Sequence, residues 1–167
     1  SKLNIESLES RIVLTATAGT AVLNGTVLNI CGTDAAETIL VAELEDEFFV
    51  SADFLPTPQR FAKSEVDTIV ISAGAGNDTI VATSVTTSLT MNGGEGNDRI
   101  FGGQAGDKVD GGAGDDLIFG DTGDDVILGG EGVDRVFAGL GDDTVYGGSG
   151  DDTLVGMGGQ DTLHGEA

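Results

Sequence analysis

The sequence predicts an all-β fold made by stacking short strands into a solenoid. Three observations carry this. Short β-branched or alternating runs recur along the chain with glycine or proline between them. A nine-residue period holds from Gly93 to His164 without insertion, and within it one aspartate and one large aliphatic residue recur at fixed places. The 167 residues suit one domain or two small ones, and 39% hydrophobic residues supplies a modest core.

Charge narrows the function classes. There are 29 acidic against 7 basic side chains, a formal net charge of −22, together with 28 glycines. A nucleic-acid binder needs cations to neutralise phosphates, and an anionic membrane surface would repel this chain. No run of 18 apolar residues is present, so membrane insertion by a spanning helix is not expected. The acidity is uneven: residues 1–72 carry 11 acids, 4 bases and three glycines, whereas residues 73–167 carry 18 acids, 3 bases and 25 glycines. This divides the chain into a β-rich cap or degenerate solenoid over 1–72 and a repeat region over 73–167.

In the first part RIVLTAT, TAVLNGTVLNI, TILVAEL, FFVSADF and DTIVIS read as strands, bounded by Gly19, Gly25, Gly32 and the Pro56/Pro58 segment. Two stretches look like worn copies of the repeat: GTDAAETIL from Gly32, with Glu37 and Ile39, and SEVDTIVIS, with Asp67 and Ile69. Glu37 and Asp67 are expected to be solvated acids rather than ligands. An open stack needs its first strands protected, which is the work of such a cap.

The repeat units begin at Ala73, Gly93, Gly102, Gly111, Gly120, Gly129, Ala138, Gly147 and Gly156. SVTTSLTMN, after a two-residue bulge, fits as a degenerate unit between the first two. Position six is aspartate in all nine copies: Asp78, Asp98, Asp107, Asp116, Asp125, Asp134, Asp143, Asp152 and Asp161. Position eight is aliphatic in all nine, from Ile80 to Leu163. A disordered acidic tail would not keep two positions in phase nine times. Glycines at positions one, two and four permit positive φ and close backbone approach, so a turn can aim several carbonyl oxygens at one spot. Positions seven to nine form a short strand whose middle residue faces inward. One aliphatic residue per nine cannot bury a face alone, so the units must stack.

The pattern G-G-x-G-x-D-x-U-x resembles the haemolysin-type (RTX) calcium-binding nonapeptide repeat over residues 73–167. The resemblance implies a right-handed parallel β-roll, two units per 18-residue turn, with calcium between loops stacked on the same side. Loops at Gly93, Gly111, Gly129 and Gly147 then form one column, and those at Gly102, Gly120, Ala138 and Gly156 the other. It further implies carboxylate pairs Asp98/Asp116, Asp116/Asp134 and Asp134/Asp152 in one column. The second holds Asp107/Asp125, Asp125/Asp143 and Asp143/Asp161, and Asp78/Asp98 frames a seventh site. About six or seven ions are expected. The implied backbone carbonyl ligands are Gly93, Gly96, Gly102, Gly111, Gly114, Gly120, Gly123, Gly129, Gly132, Gly141, Gly147, Gly150 and Gly156.

The donors favour calcium over its competitors. They are hard oxygens in flexible loops, which suit a large ion of six to eight ligands, whereas magnesium prefers a tight octahedron and zinc or copper prefer nitrogen or sulfur. The chain has one histidine and one cysteine. Departures from the pattern are Ala73 and Ala138 at position one, Asp121 and Met157 at position two, and Ala105 at position four, which makes the Gly102 loop the weakest. The acids at position five, Asp115, Asp124, Asp142 and Asp151, read as turn formers.

No zinc-protease motif or phosphate loop occurs, and no nucleophile is paired with a base, so catalysis is not expected from this chain. His164 reads as a surface residue and Cys31 as a buried small one. Phe101, Phe119, Phe137 and Val155 form an outward ladder, open to two readings: cross-strand stacking, or a face for self-association or a neighbouring domain. Residues 5–16 resemble a segment near the start of some large bacterial surface proteins. The first residue is not methionine and the last ones open another repeat, as in a mature or trimmed piece. The resemblance implies a structural calcium-binding domain of a bacterial protein at the cell surface or outside the cell. Two other settings stay open: an accessory module of a larger secreted protease, lipase or epimerase, and an adhesin segment.

Overall fold

The computed structural model describes residues 18–165. The expected strand RIVLTAT, the segment 5–16 and the last two residues lie outside the described residues. In chain order the strands are β1 (Thr20–Asn24), β2 (Val27–Cys31), β3 (Thr38–Glu43), β4 (Glu47–Ala52), β5 (Gln59–Ala62), β6 (Thr68–Ala75), β7 (Thr79–Val81), β8 (Leu89–Glu95), β9 (Arg99–Phe101), β10 (Lys108–Ala113), β11 (Leu117–Thr122), β12 (Val126–Glu131), β13 (Arg135–Leu140), β14 (Thr144–Ser149), β15 (Thr153–Gly158) and β16 (Thr162–His164). Among the described residues one 3₁₀ turn is present, at Lys63–Glu65. The fold is all-β, and no described helix is long and apolar enough to cross a membrane.

The strands form two eight-stranded sheets: β1 and β2 lie in the first, β3 to β5 in the second, and from β5 onward successive strands alternate between the two. From β2 onward the first sheet is parallel through β6, β8, β10, β12, β14 and β16, and from β3 the second is parallel through β7, β9, β11, β13 and β15. From β8 and β9 onward each turn of this β-solenoid advances 18 residues, as in Val109↔Ile127 and Ile118↔Val136, while the turn before it advances 20, as in Ile71↔Met91 and Ile80↔Ile100. The amino-terminal end is closed differently. β1 folds antiparallel onto β2 around Gly25, and β4 and β5 add an antiparallel meander outside β3. The Glu43 carboxylate accepts bonds from Lys63 Nζ and from the Thr86 N–H and hydroxyl, tying this cap to the roll.

Position eight builds the core. Ile80, Ile100, Ile118 and Val136 from one sheet face Met91, Val109, Ile127 and Val145 from the other, all buried. The same hydrophobic cluster continues through Ile39, Ile30, Phe48 and Ile71 to Ala21. Each buried aliphatic side chain contributes roughly 1.5–3 kcal/mol. The core thins at the carboxyl end, where Leu154 is half-buried and Leu163 is 43% exposed.

The register corrects two details of the sequence reading. GTDAAETIL and SVTTSLTMN are in phase, since Ile39 pairs with Ile80 and Met91 with Val109. SEVDTIVIS is not: Ile71, not Ile69, pairs with Met91, so Asp67 falls two residues short of the acid position and lies exposed. Strands also run beyond positions seven to nine. β10 continues to Ala113 because the position-two glycines of neighbouring turns lie in register, as Gly112 does with Gly94 and Gly130.

Positive φ falls at positions two and four and not at one. A Cβ on Gly112 at position two would come 2.1 Å from the Gly94 carbonyl oxygen of the preceding turn. Asp121 and Met157 occupy this same position at φ 81° and 74°. A non-glycine side chain there costs about 1–2 kcal/mol, against about 0.5–1 kcal/mol for the extra entropy glycine loses on folding. Met157 is 69% exposed and buries little that glycine would forfeit. Met157→Gly is therefore expected to raise stability by roughly 0.5–1 kcal/mol, measured by urea unfolding at a fixed divalent-ion concentration; a loss of stability would contradict the strain.

Candidate metal centre

The acids at position six fall into two columns, one on each side of the roll, because units 18 residues apart stack directly. One column runs Asp78, Asp98, Asp116, Asp134, Asp152; the other runs Asp107, Asp125, Asp143, Asp161. Those from Asp78 to Asp143 are buried, at 2% exposure or less, while Asp152 and Asp161 at the open end are half-buried.

Within a column each carboxylate spans two turns. Its Oδ1 accepts the backbone N–H of the position-six residue one turn earlier: Asp98 donates to Asp116 at 2.8 Å, Asp116 to Asp134 at 2.9 Å, Asp107 to Asp125 at 2.7 Å and Asp125 to Asp143 at 2.8 Å. The Oδ2 atoms of Asp78, Asp98, Asp116, Asp125, Asp134, Asp143 and Asp152 are buried with no hydrogen-bond partner. Those of Asp98, Asp116, Asp125 and Asp134 lie beside the position-one carbonyl of the following turn. A Cβ built on Gly111 would lie 2.4 Å from both Asp116 Oδ2 and the Gly129 oxygen, and one on Gly120 would lie 2.3 Å from both Asp125 Oδ2 and the Ala138 oxygen. In these units position one is glycine because this space is already claimed by oxygen.

Two oxygens converging without a donor between them repel, and leaving a buried carboxylate oxygen unpaired costs more than a lost neutral bond. A cation answers both. Among the described residues no three His, Cys, Asp or Glu side chains converge on one point. An ion between turns must therefore draw on carbonyls as well as carboxylates, and such an all-oxygen set fits calcium.

The anticipated carbonyl residues divide by position. The carbonyls of Gly111, Gly120, Gly129 and Gly147 lie against the position-one carbon of the turn before, while at Gly93, Gly102 and Gly156 it is the alpha carbon, where a Cβ would be carried, that sits beside the carboxylate of the same unit. Ala138, absent from the sequence-derived carbonyl set, presents its oxygen in the same way. The position-four carbonyls of Gly96, Gly114, Gly123, Gly132 and Gly141 instead abut the position-four carbon of the next turn, as does Gly132 against Gly150.

Two features went unrecognised in the sequence. At position five, Oδ1 of Asn97, Asp115, Asp124 and Asp142 accepts the N–H of the residue one turn later, at 2.8–3.0 Å. These side chains staple loop to loop rather than merely forming turns. The bonds run opposite in direction to those at position six, so each loop is held from both neighbours. Glu37 is the other. Expected to be solvated, it is buried, and its N–H donates to Asp78 Oδ1 at 2.8 Å, placing it at the head of the first column.

The remaining expectations resolve simply. Phe101, Phe119 and Phe137 stack on one another at centroid distances of 5.2 and 4.9 Å, which is the cross-strand reading of the ladder. His164 is exposed and stacks on Tyr146. Cys31 is half-buried rather than buried, because it ends β2 on the outward parity with Val27 and Asn29.

Burial disfavours the charged form of the position-six acids from Asp78 to Asp143 and so raises their pKa, and neighbouring carboxylates add to it. Asp98 is pushed up to about 6, and Asp116 and Asp125 to about 7. In the metal-free fold these groups take up protons that the unfolded chain, with ordinary carboxylates, does not bind. Stability of that fold must therefore rise as pH falls from about 7 toward the ordinary carboxylate range. Circular dichroism in chelator should show β-structure increasing between pH 8 and pH 5; a loss of structure over that window would contradict the burial of ionised acids.

A family model described as the RTX calcium-binding nonapeptide repeat matches the chain in four copies, over residues 70–84, 90–118, 110–145 and 146–167, together more than half of it. Comparison with characterised proteins and with solved structures gave no match.

Proposed function

Because the chain belongs to the RTX calcium-binding nonapeptide repeat family, we propose that it is a non-catalytic calcium-binding module of a bacterial protein that folds on meeting calcium outside the cell. The reading rests above all on the buried, unpartnered Oδ2 atoms, which at Asp98, Asp116, Asp125 and Asp134 lie beside a carbonyl of the next turn. In the two columns, position-six aspartates whose second oxygen is unpartnered hold about six or seven ions together with carbonyls of the position-one residues. Residues 73–167 form the calcium-dependent segment, and the described residues before them form the ion-free cap.

Calcium supplies positive charge where the chain has placed only oxygen. Without it, carboxylates one strand spacing apart, about 4.8 Å, repel down each column. The core opposes them with one aliphatic residue per unit. Calcium binding and folding then become a single event. Single-loop affinities in the range of extracellular modules, roughly 10⁻⁴ to 10⁻³ M, keep the segment unfolded where calcium is scarce and fold it where calcium is millimolar. Nearest-neighbour stacking makes the transition cooperative.

Calorimetric titration alongside circular dichroism tests this. The β-signal should be largely absent in chelator and appear together with the heat of binding. Asp116→Asn, which removes the charge shared by two successive gaps, should shift the calcium midpoint upward by at least about tenfold, equivalent to about 1.4 kcal/mol. A β-rich spectrum unchanged by chelator, or an Asp116→Asn midpoint equal to wild type, would sink the proposal.

A further inference from the structure

The heads of the two columns differ from everything below them. At the head of the first, Glu37 Oε2 accepts the Thr33 N–H at 2.9 Å and Oε1 accepts the Thr33 hydroxyl. At the head of the second, Asp107 Oδ2 accepts the Gly103 N–H at 2.7 Å while Oδ1 accepts the Leu89 N–H at 2.8 Å. In both loops the donor is the position-two N–H of the same unit. Both loops also lack the positive φ that marks positions two and four elsewhere: Thr33, Ala35, Gly103 and Ala105 all depart from it. With position two on the other side of φ, its N–H turns toward the carboxylate of its own loop. Every position-six acid that follows them down to Asp152, apart from the half-buried Asp161, has its second oxygen buried and unpaired.

We infer that the Glu37 and Asp107 loops are closed starters that need no ion, and that each column of calcium sites begins one turn below them. This rests on the calcium reading above. The backbone N–H supplies at these two loops the positive charge that an ion supplies elsewhere. The gap after Asp107, anticipated as a site with Asp125, holds no ion. Ions fill the gaps that follow Asp78, Asp98, Asp116 and Asp134 in one column and Asp125 and Asp143 in the other, six in all. Glu37 and Asp107 are positioning residues. They fix the first loop of each column in the geometry on which the first ion-binding turn stacks.

The test counts calcium by native mass spectrometry on the full chain, with calorimetry on the same samples. Wild type should bind six ions. Asp107→Asn keeps an oxygen for one of its two N–H donors and removes the charge; it should still bind six ions with a midpoint within about threefold of wild type. Asp125→Asn should lose at least one ion and weaken the rest. Asp107→Ala, which abandons both N–H groups, should lower the urea midpoint in saturating calcium while leaving the ion count at six. Loss of an ion in Asp107→Asn comparable to that in Asp125→Asn would overturn the inference while leaving calcium binding intact. Absence of calcium on wild type would overturn both.

Discussion

The structure depends on one contact repeated down each side of the roll: a buried carboxylate oxygen set against a carbonyl oxygen of the next turn, with no hydrogen between them. That contact is unfavourable by itself, and its neighbours confirm how tightly it is imposed. The partner Oδ1 is already committed to an N–H of the preceding turn, and position five ties the same loops in the other direction. The carboxylate therefore cannot swing out to solvent without releasing a turn. An internal oxygen pair fixed this firmly either takes up a cation or a proton, or it dismantles the stack.

This explains why the chain divides its labour along its length. The cap thickens its end of the shared core, with Phe48, Val50 and Leu28 fully buried, and pairs two of its acids internally, Glu43 with Lys63 and Glu47 with Arg60. Part of the acidity of residues 1–72 is thus neutralised by the chain itself. Below the cap each turn buries only two aliphatic residues at position eight, and bases are few. There the acidity is a requirement for an external charge. The Phe101, Phe119 and Phe137 stack adds side-chain contact on the outer face where the inner core is thin.

Much of this was legible in the sequence, for identifiable reasons. A nine-residue period with fixed aspartate and aliphatic positions specifies a stack, its register and the columns of acids. Periodicity also found the degenerate unit at Leu89 and Met91. It failed where local pattern and stacking disagree. DTIVIS alternates so evenly that a shift of two residues leaves its apolar face unchanged, and only pairing of Ile71 with Met91 shows that Asp67 is no column member. Glu37 was misjudged because its burial depends on Thr33 and on Asp78, which is 41 residues away. The position-five ladder was invisible since asparagine and aspartate there also suit an isolated turn. β5 lacks the apolar run that marks a strand, being held as an edge by pairing with β4.

The account stands or falls on where the cation sits. Crystals grown in calcium and measured at a wavelength where calcium scatters anomalously would place each ion without reference to a model. The expected map has peaks in two columns, each lying between the Oδ2 of one position-six aspartate and the position-one carbonyl of the following turn. Peaks on the exposed position-five acids, or ordered water alone in those gaps, would contradict it.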